Sequence, residues 1–528
     1  MIQKILLLPL AFLLLAVCAA RQAVSPPPIM DETRPRPGPP FNLDEKTGEA
    51  ESLAARGGYV HLRRAFSLYQ DIEKFAPDKS RFAAGYALTA LLLAARTKEV
   101  GVRNGAYLAK ARELVRGEET LAALAPALEI VGLMPVKTVG VWADSRGQEP
   151  VLQMKTADLE SSVADPGAGP AARPFFAYVH AVRNELSDQT AAAKADLDEA
   201  LRIFPDSLLL KFKRATLPPA DLRLLEEISE KEPEFFESFL GQGQLALAGG
   251  ALVTAEKHLL RAEEGVPESP LITILLASVN FGTEEYDRSL AFYEKTLDAA
   301  PAYKEALLGK AICLSCVGRP AEAIPILEEL LTRGPALRGE GLFWLAANLH
   351  EIGDNERAAA EIEKAKAVLP VARVFTLAGT IALERGLLHA AEQDLKVAVG
   401  LDSGESEAFF GLGKLYARRS DWLDSALNFM FSGYGFESEE KKILSKIGQI
   451  EESTMPEDRK ERLLARKKYQ LEKTRLTKAT AHFNAAAGYY NAGDLSKALT
   501  WAHCAAAHPY FAEKAKEFVA LIASRKRG

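Results

Sequence analysis

This sequence of 528 residues has no excess of basic charge: 65 Lys and Arg stand against 71 Asp and Glu, a net of −6. A dedicated nucleic-acid binder needs a basic face to neutralise phosphates, and no interleaving of aromatic and basic residues stands out either. No nucleic-acid partner is expected. Cysteine is scarce, with four in the chain. Two of them form Cys313-Leu-Ser-Cys316, a spacing that can be redox-active, metal-binding or haem-attaching. Val317 follows where haem attachment needs His, and no second pair completes a zinc site. The pair reads as packing residues inside a helix. Neither His-Glu-x-x-His nor Gly-x-Ser-x-Gly occurs. Gly241-Gln-Gly243-Gln-Leu-Ala246 fits a loose dinucleotide fingerprint, but helical residues precede it where a strand is needed. Gly411-Leu-Gly413-Lys414 has neither the spacing nor the Ser/Thr of a phosphate loop. His503, Cys504 and His508 lie close together with no carboxylate at ligand spacing. No catalytic residue, metal site or cofactor is expected, so the chain reads as a non-enzyme.

Long apolar runs are absent after the opening one. Residues 5–17 (ILLLPLAFLLLAV) follow Lys4 and form an export h-region, too short to span a bilayer comfortably. Residues 1–20 therefore read as a signal peptide. Leu15-Ala16-Val17-Cys18 resembles a bacterial lipobox with Cys18 as the lipidated residue, although Val17 stands where Gly or Ala is usual. Cleavage after Ala19 or Ala20 is the alternative. With Ala19 after the cysteine, an outer-membrane anchor in the periplasm is expected. Residues 21–45 are Pro-rich and cannot form helix, which makes them an extended tether.

What is present is a repeat. At this length one compact core is excluded, and Pro267, Pro301, Pro335 and Pro370 recur 34, 34 and 35 residues apart. Aligning on them gives units at 236–269, 270–303, 304–337, 339–372, 372–405 and 406–439. A small residue falls in the first helix of each, at Gly243, Ala277, Ala311, Ala346, Gly379 and Gly413. A second follows twelve positions on, at Ala255, Ser289, Ala323, Ala358, Ala391 and Ser425. Two antiparallel helices approach closely only over small side chains. Gly250, Gly318, Gly353 and Gly386 supply the turn between them. Four residues after the second small position stands a large apolar one, Leu259, Tyr293, Leu327, Ile362, Leu395 or Phe429, which fills the gap.

This pattern closely resembles the tetratricopeptide repeat of bacterial exported proteins. The resemblance implies an all-α, right-handed superhelical solenoid of antiparallel helix pairs. It extends, degenerate, over 46–135, over two units at 174–235, and over a last unit and capping helix at 479–528. Residues 136–173 read as an insertion, with a small β-hairpin at 136–157 where β-branched residues flank a Ser-Arg-Gly turn. Residues 440–478 carry twelve Lys/Arg against seven Asp/Glu and read as a basic helix or spacer.

By the resemblance, the first helices line a concave groove that binds a polypeptide. Its positions here are Leu240, Gln244, Leu247, Ile274, Ser278, Phe281, Leu308, Ile312, Ser315, Phe343, His350, Thr376, Leu383, Phe410, Lys414 and Arg418. The expected groove is apolar through its middle, with a basic edge at Lys414 and Arg418. A carboxylate clamp would need Asn beside Lys/Arg in a neighbouring unit, and this reading finds the cations in one unit only. The expected function is a protein-interaction scaffold or adaptor in the cell envelope. The alternative is a substrate- or lipid-binding accessory of an envelope transport system.

Overall fold

The computed structural model describes residues 42–137 and 172–527, apart from positions 77, 336 and 454. These residues form twenty-four α-helices and one short 3₁₀ segment, with no strand among them. The hairpin expected at 136–157 falls, but for its first two residues, outside the described residues, as do Cys18 and residues 21–41 of the expected tether. The last three residues of that tether, 43–45, are helical instead and open the first helix, because the prolines end at Pro40 and Asn42 caps the helix start. No described helix is long and apolar enough to cross a membrane.

The N-terminal part runs α1 (Leu43–Arg56), α2 (Tyr59–Phe75), α3 (Ser80–Glu99), α4 (Ala106–Gly117) and α5 (Ala125–Leu133). After the insertion come α6 (Ala172–Leu186), α7 (Thr190–Ile203), α8 (Leu208–Thr216) and α9 (Leu222–Lys231). Six pairs then follow with constant rhythm. They are α10 (Phe236–Ala248) with α11 (Leu252–Gly265), α12 (Pro270–Gly282) with α13 (Tyr286–Ala299), and α14 (Lys304–Cys316) with α15 (Pro320–Thr332). Next are α16 (Arg338–Glu351) with α17 (Asn355–Val368), α18 (Ala372–Glu384) with α19 (Leu388–Leu401), and α20 (Ser406–Arg418) with α21 (Trp422–Glu452). The chain closes with α22 (Glu457–Asn491), α23 (Leu495–Ala506) and α24 (Pro509–Arg527).

The turn chemistry explains the rhythm. Gly250, Gly318, Gly353 and Gly386 each end a first helix with φ between 74° and 85°, a conformation that costs a side chain energy. In the second and sixth pairs Glu284 and Ser420 occupy the same position at φ 62° and 64°. Each second helix stops just before Pro267, Pro301, Pro335 or Pro370 where one is present.

Two long-range clasps tie the array together. At the N-terminal end, Arg96 of α3 is fully buried, paired with Glu237 of α10 at 2.8 Å and with Glu99. Its guanidinium lies 4.2 Å from the centre of the Phe212 ring. Lys213 of α8 bridges Glu99 and Glu185 at 3.2 and 2.5 Å. Removing one member of so buried a network would strand the others' charges, which fixes how α3, α6, α8 and α10 pack.

The second clasp is made by the basic segment. α21 and α22 each run well past the length of an ordinary repeat helix and pair along their extensions, where Glu440 takes Arg475 at 2.7 Å together with Lys478. The tip of this hairpin reaches back to the first two pairs of the array. There Arg459 pairs with Glu256 and Glu285, and Lys467 with Glu284. The Arg466 guanidinium lies 4.6 Å over the Tyr286 ring. A cation excess that looked like a solvated spacer is thus matched by acidic turns of the same chain, nearly two hundred residues earlier.

Candidate functional site

Each helix pair is locked where small meets large. A Cβ added to Gly243 would lie 2.7 Å from Leu259, one on Gly379 2.5 Å from Leu395, and one on Gly413 2.8 Å from Phe429. Glycine therefore lets the two helices close onto the large residue of the same unit. Where serine takes the second small position, its hydroxyl donates across the pair, Ser289 to the Ala277 carbonyl at 2.8 Å and Ser425 to that of Gly413 at 2.9 Å. Tyr293 reaches Ser278 and Ser289 of its own unit. Its ring also presses on Gly309 of the following unit, as Leu395 does on Gly411, so the large residue joins neighbouring units as well.

Stacked in this way, α18, α20 and α22 line an open cavity of about 590 Å³ together with α21. Its apolar wall includes Leu383, Phe410, Trp422, Phe429 and Phe436. Its polar lining includes Thr380, Glu384, Glu407, Lys414, Arg418, Asn484 and Asn491. The Lys414 ammonium stands 4.8 Å over the Phe410 ring, and Arg418 donates to the Leu383 carbonyl. Among the described residues, neither cation pairs with a carboxylate, and no hydrogen bond engages the side-chain amides of Asn484 and Asn491.

First helices of 13 or 14 residues, joined by left-handed turns to second helices and repeated every 34 residues, settle the architecture. The array is of the tetratricopeptide type. No family model matches the sequence, and no curated protein matches it. Among solved structures, the chain is similar over 48% of its length to 99% of PilF from Pseudomonas aeruginosa, at 13% identity and a TM-score of 0.36. It is similar over 54% of its length to 98% of a tetratricopeptide repeat protein from Parabacteroides merdae, at 16% identity and a TM-score of 0.34. A third, YrrB, is described as a TPR protein with an unusual peptide-binding site. It is matched over 90% of its length and 33% of this chain, at 20% identity and a TM-score of 0.29.

The tetratricopeptide array divides the sixteen groove positions into three sets. Leu383, Phe410, Lys414 and Arg418 come together in the cavity. Gln244, Leu247, Ser278, Phe281, Ile312, Ser315, Phe343 and His350 are partly exposed. Several are tied down locally: Ser315 donates to Asn348 Oδ1 at 2.8 Å, and His350 Nδ1 lies 2.7 Å from Asn355 Oδ1. Leu240, Ile274, Leu308 and Thr376 are buried instead. Each lies on the flank of its helix that the neighbouring helix covers, so stacking makes core of them and not a displayed lining.

Asn484 and Asn491 are the functional candidates that sequence reasoning passed over. Both sit on α22, whose first half is the basic extension and whose second half belongs to the last unit at 479–528. The signal was the seven-residue interval, two helical turns, that sets both amides on one face. Cys313 and Cys316 are both free. Cys313 is fully buried 3.4 Å from the Ser289 hydroxyl, and burial pushes its thiol up to about 11, away from reactive thiolate.

Proposed function

We propose that this tetratricopeptide array is a non-enzymatic scaffold that holds a partner polypeptide at the C-terminal end of its concave side. The partner's carboxylate, from an acidic side chain or a chain end, sits between Lys414 and Arg418 on α20 and the amides of Asn484 and Asn491 on α22. The observation that carries this reading is the cavity itself. It gathers two cations without carboxylate partners, two amides without hydrogen-bond partners, and a wall of Phe410, Trp422 and Phe436. Lys414 and Arg418 are solvent-exposed at the mouth of this site and Asn484 is half-buried, so cations and amide donors together could make charge-assisted hydrogen bonds to an incoming carboxylate. The aromatic wall would take the apolar side chain beside it. The opening apolar run and Cys18 support a scaffold of the bacterial envelope, held to the outer membrane by a lipid and a Pro-rich tether.

The test is fluorescence anisotropy with a peptide library whose members end in a free carboxylate or an amide. Binding peptides should pair an apolar residue with a terminal or acidic carboxylate. Amidation, or Lys414→Ala with Arg418→Ala, should weaken them at least about tenfold, the effect of losing one charged hydrogen bond. Equal affinity for free and amidated ends would remove the carboxylate from the proposal. The transport-accessory reading predicts a lipid or small apolar ligand here. The exposed cations and carboxylates that line the same cavity disfavour a purely apolar ligand, and Glu384 and Glu407 require the partner's carboxylate to sit on the Lys414 and Arg418 side.

A further inference from the structure

A second site lies far from the cavity, where α2 meets the junction of α9 and α10. His61, in the first turn of α2, has no accessible surface, and neither of its ring nitrogens has a hydrogen-bond partner among the described residues. A buried imidazole with both nitrogens idle is costly, and native interiors rarely keep one without a reason. Its Nε2 points between two carboxylates, 3.7 Å from Glu232 and 3.5 Å from Glu234. Those distances are too long for hydrogen bonds. They are close to the separation of neighbouring ligands around a tetrahedral ion, about 3.4 Å for bonds near 2.1 Å. All three ligand atoms lie within 4.8 Å of one another.

The two carboxylates are otherwise held by Arg56 at 3.2 Å and Arg64 at 2.7 Å. Both arginine side chains are about half exposed, so these are weak surface pairs whose cations can turn to water. His61 has no such alternative. Glu232 and Glu234 flank Pro233, whose ring restricts the backbone between them. Glu232 is further fixed by its own backbone bonds to Ile228 and Phe235, each 2.9 Å.

We propose that His61, Glu232 and Glu234 bind a divalent transition cation of zinc's class, with a fourth position open to water. One imidazole nitrogen among the ligands selects zinc-like ions over calcium or magnesium. Two carboxylates neutralise the ion's charge, and the freed arginines face solvent. The ion pins the N-terminal helices to the start of the regular array. No sequence motif announces it, because one ligand stands on a helix and two on a turn far along the chain.

The experiment is calorimetric zinc titration of the full chain without a histidine tag, with cobalt(II) absorption as a second readout. The expected result is one zinc per chain, a raised thermal midpoint, and cobalt bands of a four-coordinate site without sulfur-to-metal charge transfer. Glu232→Gln and Glu234→Gln should each weaken zinc at least about tenfold. Arg64→Ala should keep or tighten it, since it removes the competitor. His61→Asn opens a buried site and can fail to fold, so the half-exposed Glu234→Gln variant carries the test. No zinc binding would overturn the proposal. So would binding that survives both glutamine variants, or cobalt spectra showing thiolate ligation.

Discussion

Gly379→Ala examines the small-against-large rule at one atom. The new Cβ would stand 2.5 Å from Leu395 Cγ, 2.9 Å from its Cδ2 and 3.2 Å from the Ala391 carbonyl. Leu395 is fully buried and has no room to retreat. Overpacking of this kind costs about 1–3 kcal/mol. Replacing a helical glycine by alanine gains about 1 kcal/mol in propensity, so the net change is roughly 0–2 kcal/mol of destabilisation. Gly400 on α19 supplies the control. It is exposed, with nothing within 4 Å of an added Cβ, so Gly400→Ala keeps the propensity gain alone. The two variants should differ by about 1–3 kcal/mol, roughly a 5- to 150-fold difference in local opening. Long arrays do not unfold as one unit, so the readout is hydrogen exchange of the α18 and α19 amides. Leu395→Ala alone should cost about 2–5 kcal/mol, and less in the Gly379→Ala background because the new methyl occupies part of the void. Equal protection in Gly379→Ala and Gly400→Ala would refute the reasoning.

Arg459→Ala should release the hairpin tip, raising exchange at the end of α21 and the start of α22 while the six pairs stay protected. The loss is bounded by about 3–5 kcal/mol for breaking a buried pair, reduced because Arg288 stays 3.0 Å from Glu256 and 3.3 Å from Glu285. His482 on α22 is nine-tenths buried, and burial pushes its pKa from 6.5 down to about 4, with Lys478 adding to the shift and Glu437 opposing it. Its neutral form is the folded one. The unfolded chain therefore binds the extra proton, and the stability, present in full above pH 6.5, is lost as pH falls towards 4, up to about 3 kcal/mol. Urea midpoints of the C-terminal unit should decline from pH 6.5 to 5, above the carboxylate range, and His482→Gln should flatten that slope. An unchanged slope would show that another group titrates.

The regular pairs were legible because each rests on local chemistry. Small residues twelve apart, a turn glycine and a closing proline all act within one unit, and Gly243, Gly379 and Gly413 sit against the residues the pattern named. Superhelical stacking is not local. Leu240 and Ile274 look like lining on a helical wheel, yet their neighbours bury them. The clasps were illegible for the same reason. Arg459 and Glu256 stand 203 residues apart in the chain, and only the long α21–α22 hairpin brings them together. At the cavity, the resemblance to the tetratricopeptide repeat pointed to Lys414 and Arg418. It could not show that the extended α22 returns Asn484 and Asn491 to face them.

The central claim, that the array holds a polypeptide through this cavity, is met most directly by site-specific photo-crosslinking in cells. A crosslinking residue at Asn484 lines the cavity, and one at Lys364, half exposed on the second helix α17, serves as control. The account expects a discrete polypeptide adduct from position 484 that disappears with Lys414→Glu and Arg418→Glu, and none from position 364. A polypeptide captured equally from both positions, or an adduct at 484 indifferent to the two charge reversals, would contradict it.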